Sequence, residues 1–131
     1  MDIAQLYNLY TEHSNVCTDT RNLISNSIFF ALRGNNFNGN NFANKALTVC
    51  DYAVVDDPKV VQSEKYILVD NVLETLQNLA LFHRKRLNIP VIAITGTNGK
   101  TTTKELVTKV LEQRYKVKST KGIITITLEC H

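Results

Sequence analysis

The run Thr95-Gly96-Thr97-Asn98-Gly99-Lys100-Thr101-Thr102-Thr103 gathers two glycines, a lysine and a block of hydroxyls. These residue types at this spacing suit a polyphosphate. A helix N-terminus leaves backbone N–H groups unpaired and carries a partial positive charge. Gly96 and Gly99 would let those amides approach phosphate oxygens with no Cβ in the way. Lys100 would put an ammonium on the β/γ-phosphates, and Thr101 would offer a hydroxyl to Mg²⁺. The common phosphate loop would need glycine at position 94, where Ile94 stands, so this loop is a shorter variant. A strand-to-helix turn that merely uses glycine is the plainer alternative. It leaves Lys100-Thr101 and the threonine run without a reason.

Such a loop must join a strand to a helix, and its flanks have that pattern. Val91 to Thr95 is continuously apolar, which predicts a buried parallel strand. Thr101 to Arg114 reads as a helix with Leu106, Val107, Val110 and Leu111 facing inward. Tyr115 to Ser119 starts another strand. Strand, Gly-loop, helix and strand in that order make a βαβ unit.

Upstream lies a separate set of elements. Residues 2–10 form a predicted helix capped by Asp2, with Ile3, Leu6, Tyr7 and Tyr10 on one face. Ser27 to Leu32 suits a buried strand. Arg33 to Asn41 is a loop rich in Gly and Asn, and Phe42 to Leu47 is a short helix. Tyr52 to Val55 and Tyr66 to Val69 read as strands, with a turn at Asp56-Asp57-Pro58. Asp70 or Asn71 caps the next helix, Glu74 completes a capping box, and Val72, Leu73, Leu76, Leu79 and Ala80 keep helical spacing. That helix ends near Arg86, because Pro90 disfavours helical geometry at Ile89. The domain boundary is placed there. Residues 1–86 form one domain, and 87–122 begin a second.

Composition narrows the function classes. With 44% hydrophobic and 21% charged residues the chain is that of a soluble globular protein. A net charge of +3 is too weak for a nucleic-acid binder. The basic clusters, Arg84-Lys85-Arg86 and Lys116 to Lys121, read as solvated surface. Cys17, Cys50 and Cys130 lack metal-ligand spacing and read as free thiols in a reducing compartment. The start of the chain lacks a secretory n-region and h-region, and no run reaches a membrane span, so a cytoplasmic protein is expected.

The motif Gly96-Thr97-Asn98-Gly99-Lys100-Thr101-Thr102 closely resembles the ATP-binding signature of the Mur ligases, which join amino acids or peptides to UDP-N-acetylmuramic acid in peptidoglycan synthesis. Folate polyglutamate synthetases carry a related loop, but Thr101-Thr102 is closer to Mur. Thr18-Asp19-Thr20-Arg21, followed by Ile28 to Gly34, resembles the nucleotide-sugar domain shared by the MurE and MurF types. By this resemblance residues 1–86 are the amino-terminal UDP-sugar-binding domain, and 87–122 start the central ATP-binding domain. Thr18, Asp19, Thr20 and Arg21 would then lie near the uridine nucleotide, with Arg21 on phosphate and Asp19 orienting it. An Asp–Arg pair that only holds a loop is the competing reading. Phe37-Asn38-Gly39-Asn40-Asn41-Phe42 resembles the family pattern Phe-Asp-Gly-His-x-Phe but lacks its acid and histidine. Thr103-Lys104-Glu105 is closer to the MurF type than to MurE, although Lys104 and Glu105 also suit any first helical turn.

The resemblance implies an ATP- and Mg²⁺-dependent ligase. Its substrates would be UDP-N-acetylmuramoyl tripeptide and D-alanyl-D-alanine. ATP would phosphorylate the terminal carboxylate, and the dipeptide amine would displace phosphate to form the amide, with Lys100 as the catalytic cation. No nucleic-acid partner and no membrane insertion are implied. A MurE-type ligase and a non-catalytic nucleotide-binding module are the alternatives.

After Gly122 the family continues as Gly-Asn-x-Asn-Asn-x-Ile-Gly-x-Pro, whereas this chain reads Ile123 to His131. In one back-translation, a single base added after the Gly122 codon yields Gly-Asn-Tyr-Asn-Asn-His-Ile-Gly-Val-Pro. Residues 123–131 are therefore expected to be a frameshifted tail, with a native terminal strand as the alternative. On the frameshift reading Cys130 and His131 are no ligands, and Ile123 to Leu128 is an unpaired, β-prone run. A chain of this length is expected to be inactive alone.

Overall fold

The computed structural model describes residues 1–119 and, for the backbone alone, residues 125–130. Part of the Lys116–Lys121 cluster, together with Gly122, Ile123, Ile124 and His131, lies outside the described residues. The chain divides into two units, Met1–Arg86 and Leu87–His131.

The first unit is built on a parallel sheet of four strands in sequence order: β1 (Asn15–Cys17), β2 (Ser27–Phe30), β3 (Tyr52–Val55) and β4 (Tyr66–Leu68). Helices α1 (Ile3–His13) and α3 (Val72–Arg86) cover one face, and α2 (Ala43–Ala46) lies over the other. Successive strand residues point to opposite faces. Ile28, Phe30, Val54 and Ile67 accordingly pack with Leu6, Val72 and Leu79. Phe29, Ala31, Ala53, Val55 and Tyr66 pack with Cys17, Ala43, Ala46 and Cys50. Because both faces are covered, the strands read as unbroken apolar runs.

Local signals place the helices. Asp2 and Gln5 form a reciprocal capping box on α1, at 2.8 and 3.0 Å. The Asn71 side chain accepts from the Glu74 N–H at 2.9 Å at the start of α3. Cys17 and Cys50 are free and buried. The sequence reading missed β1, whose three residues are too few to show an alternation. Of the apolar residues at helical spacing on α3, Val72 and Leu79 are buried, whereas Leu73 and Ala80 are exposed.

The second unit holds β5 (Val91–Ala93), α4 (Lys100–Glu112), β6 (Tyr115–Ser119) and β7 (Thr125–Cys130). Its sheet order is β5-β7-β6, with both contacts of β7 antiparallel. Three expectations are corrected here. The run after Val91 pairs antiparallel rather than parallel, and it is half-buried because, among the described residues, β5 has a strand neighbour on one side only. Residues 125–130 are not unpaired, since they form the central strand. Leu106 and Val110 do not face a core, being 61% and 69% exposed, while Lys104 is buried on the opposite side of the helix. A three-stranded sheet covers only one stripe of α4. β5 and β6 still run in the same direction, since each is antiparallel to β7.

Candidate functional site

Two loops in separate units carry the residues of interest. In a parallel sheet the strands' carboxyl ends share one edge, and ligands gather there. Thr18 to Arg21 follow β1, Arg33 to Phe42 lead out of β2, and Asp56 follows β3. Between the first two of these segments lies a cavity of ≈ 540 Å³ lined by Thr18, Asp19, Thr20, Arg21, Phe29, Leu32, Phe37, Gly39 and Phe42. The floor is apolar, the aromatic rim is half-exposed, and the remaining wall is hydroxyl and charge. That combination accepts a flat ring joined to an anionic group.

Arg21 and Asp19 form a tight pair. Arg21 Nε donates to both Asp19 oxygens at 3.0 and 2.9 Å, and Nη2 donates to Oδ2 at 2.6 Å. The Arg21 backbone N–H adds a contact at 2.9 Å. These hydrogen bonds hold the Asp19 carboxyl down at about 2 and push the Arg21 guanidinium up. The pair orients Arg21 at the cavity mouth, where its side chain is 85% exposed and open to a further acceptor.

The rim was not read from the sequence. Phe37 lies across Gly34, where a Cβ would fall 2.2 Å from the ring, so a side chain at position 34 would push the ring from its present place. Gly39 packs on the Leu32 carbonyl, which would be 2.4 Å from an added Cβ. The aromatic residues Phe37 and Phe42, flanking an Asn-Gly-Asn turn, were the available signal. A second cavity, ≈ 440 Å³, sits beyond β4. Its walls hold Asp2, Asp70 and Glu74 and no lysine or arginine, so it does not suit an anion.

In the second unit, Gly96 to Gly99 link β5 to α4. Gly99 caps the helix at φ 73, a left-handed conformation strained for other residues, and Gly96 has φ 154. No side chain caps the first turn of α4, and no acidic residue lies in it. Gly96, Thr97, Asn98, Gly99, Lys100, Thr101 and Thr102 are all exposed. Open amides, a helix N-terminus, an ammonium and hydroxyls together fit a polyphosphate. Among the described residues no three His, Cys, Asp or Glu side chains converge on a metal position.

Proteins of known family resemble this chain. The Mur ligase middle domain family matches residues 94–129. A UDP-N-acetylmuramoyl-tripeptide--D-alanyl-D-alanine ligase of Synechocystis sp. is 44% identical over 83% of this chain and 25% of its own length. Its Bacillus subtilis namesake is 40% identical over 82% and 24%. A crystal structure of MurF ligase from Thermotoga maritima in complex with ADP superposes with a TM-score of 0.74 at 28% identity, covering 88% of this chain and 26% of that one. The chain thus spans about a quarter of the length of the curated relatives it matches.

Proposed function

The chain belongs to the Mur ligase family, and from that premise we propose that it supplies two binding elements of an ATP-dependent ligase joining D-alanyl-D-alanine to UDP-N-acetylmuramoyl tripeptide. Residues 1–86 bind the uridine nucleotide of the muramoyl substrate. Thr18, Asp19, Thr20 and Arg21 face its phosphates, and the Phe37/Phe42 rim takes the flat base. The segment from residue 87 to 122 begins the ATP-binding domain as a βαβ unit. The observation that carries this reading is the Gly96–Thr102 loop opening onto the uncapped start of α4.

ATP would supply the phosphoryl group that makes the substrate carboxylate a leaving-group carrier. This chain's own residues bind and orient. The Gly96–Lys100 amides and the Lys100 ammonium neutralise phosphate charge, and such stabilisation outweighs most other contributions to phosphoryl transfer. The Thr101 hydroxyl offers Mg²⁺ a ligand. A cytoplasmic location would give such a ligase its ATP; among the described residues no helix is long and apolar enough to cross a membrane.

Titration of the chain with ATP and with UDP tests the reading. Binding of each is expected, with ATP lost in Lys100→Ala and UDP weakened in Arg21→Ala. Binding of neither ligand would overturn it. Tight ATP binding that ignores Lys100 would favour a nucleotide-binding module of another kind.

A further inference from the structure

Asn40 is 2% exposed within a loop that is otherwise largely open to solvent. Its amide is fully engaged. Nδ2 donates to Asn38 Oδ1 and to Asp56 Oδ1, both at 2.8 Å. Oδ1 accepts from the N–H groups of Asp56 and Asp57 at 3.1 and 3.3 Å. The Asp56 carboxylate is a second node. Its Oδ1 also accepts from Arg33 Nε at 3.0 Å and Nη2 at 2.7 Å, and its Oδ2 from the Val72 N–H at 3.4 Å. One amide and one carboxylate thereby join the ends of β2 and β3, the start of α3 and the loop that carries Phe37 and Phe42. Neither residue lines the cavity.

We infer that Asn40 and Asp56 are positioning residues for the cavity, setting the aromatic rim against Thr18–Arg21 so that a uridine nucleotide is gripped from both sides. This role rests on the reading of that cavity as the nucleotide-sugar site. The donor and acceptor pattern explains the residue types. A carboxylate at position 40 would keep the two N–H partners but confront Asp56 with like charge. An amide at position 56 could keep its oxygen on Arg33 and Asn40, but its NH2 would then face the Val72 N–H, donor against donor, and the negative charge opposite Arg33 would be lost. Buried polar networks lose more from one mismatched member than their pairwise contacts suggest.

A double-mutant cycle on the 131-residue chain tests the role. UDP affinity is titrated for Asn40→Asp, Asp56→Asn and the combined variant, with Leu79→Ala as a control on the opposite face of the sheet. Each single change is expected to weaken UDP about tenfold or more, the scale of a charged hydrogen bond. The combined variant restores one carboxylate and one amide, so it should bind more tightly than the product of the two losses predicts. Leu79→Ala should lower the melting temperature and leave affinity within about twofold below the transition. Unchanged affinity in Asn40→Asp, purely multiplicative losses, or an equal loss in Leu79→Ala would each overturn the positioning role alone. Failure of the unsubstituted chain to bind UDP would overturn the cavity assignment and this role with it.

Discussion

Lys100 sits one residue past a left-handed glycine, at the start of a helix whose first turn has neither a side-chain cap nor an acid. Nothing in that turn competes for its charge, so its removal should act on bound phosphate rather than on folding. On the proposed reading, a ligase built around these residues should lose turnover by about 10²–10³-fold or more in Lys100→Ala. Near-normal turnover would remove the lysine from the mechanism. Asp56 supports a different prediction. Burial pushes its carboxyl up, but hydrogen bonds from Arg33, Asn40 and the Val72 N–H, with the Arg33 charge, outweigh burial and hold it below the ordinary carboxylate range. A carboxyl depressed in the folded state adds stability above its unfolded pKa and loses it as pH falls through the folded value. Melting temperature measured from pH 7 down to pH 3 should therefore fall on the acid side in the unsubstituted chain, and less steeply in Asp56→Asn. Parallel curves would show that Asp56 contributes nothing to the acid limb.

The elements differ in how far their packing holds them. Leu79 on α3 is 3% exposed among Leu6, Ile28 and Phe30, so Leu79→Ala should cost about 2–5 kcal/mol in denaturant unfolding. Leu106 on α4 is 61% exposed, and Leu106→Ser should stay within about 0.5 kcal/mol. A large loss from Leu106→Ser would mean that face is covered. Much of this was legible in the sequence where a pattern was dense. The β2 run and the Tyr52–Val55 strand announce themselves through consecutive apolar residues. Asp2 and Asn71 mark helix starts through their side-chain chemistry. The reading failed where neighbours decide the outcome. The inward face of α4 was inferred from periodicity, yet Lys104 is buried while Val110 is not, since the sheet beneath is narrow. The partner of β5 could not be read from β5 itself, because an apolar strand accepts either direction of neighbour. At the site, the Gly96–Thr102 loop could be seen because its residue types are unusual together. The Asn40–Asp56 network could not, because its members are 16 positions apart and neither has a local signature.

At the scale of the whole molecule, the proposed function puts two ligand-binding units on one chain, each with its loops at strand ends. The chain spans about a quarter of the length of the curated relatives it matches, so it holds only a part of the positioning surface that those ligases have. A polypeptide limited to residues 1–131 should bind nucleotides yet yield no product from ATP, UDP-N-acetylmuramoyl tripeptide and D-alanyl-D-alanine, since reaction needs the partners held within roughly 3–3.5 Å. Product formed by this polypeptide would contradict that division of labour. The central claim is that the uridine nucleotide and ATP bind at different, named loops. The direct measurement is backbone amide chemical-shift mapping of the chain, first with UDP and then with ATP and Mg²⁺. The account predicts that UDP shifts the amides of residues 18–21 and 32–42, and that ATP shifts those of residues 96–103. Both nucleotides perturbing the same loop, or neither perturbing these segments, would contradict it.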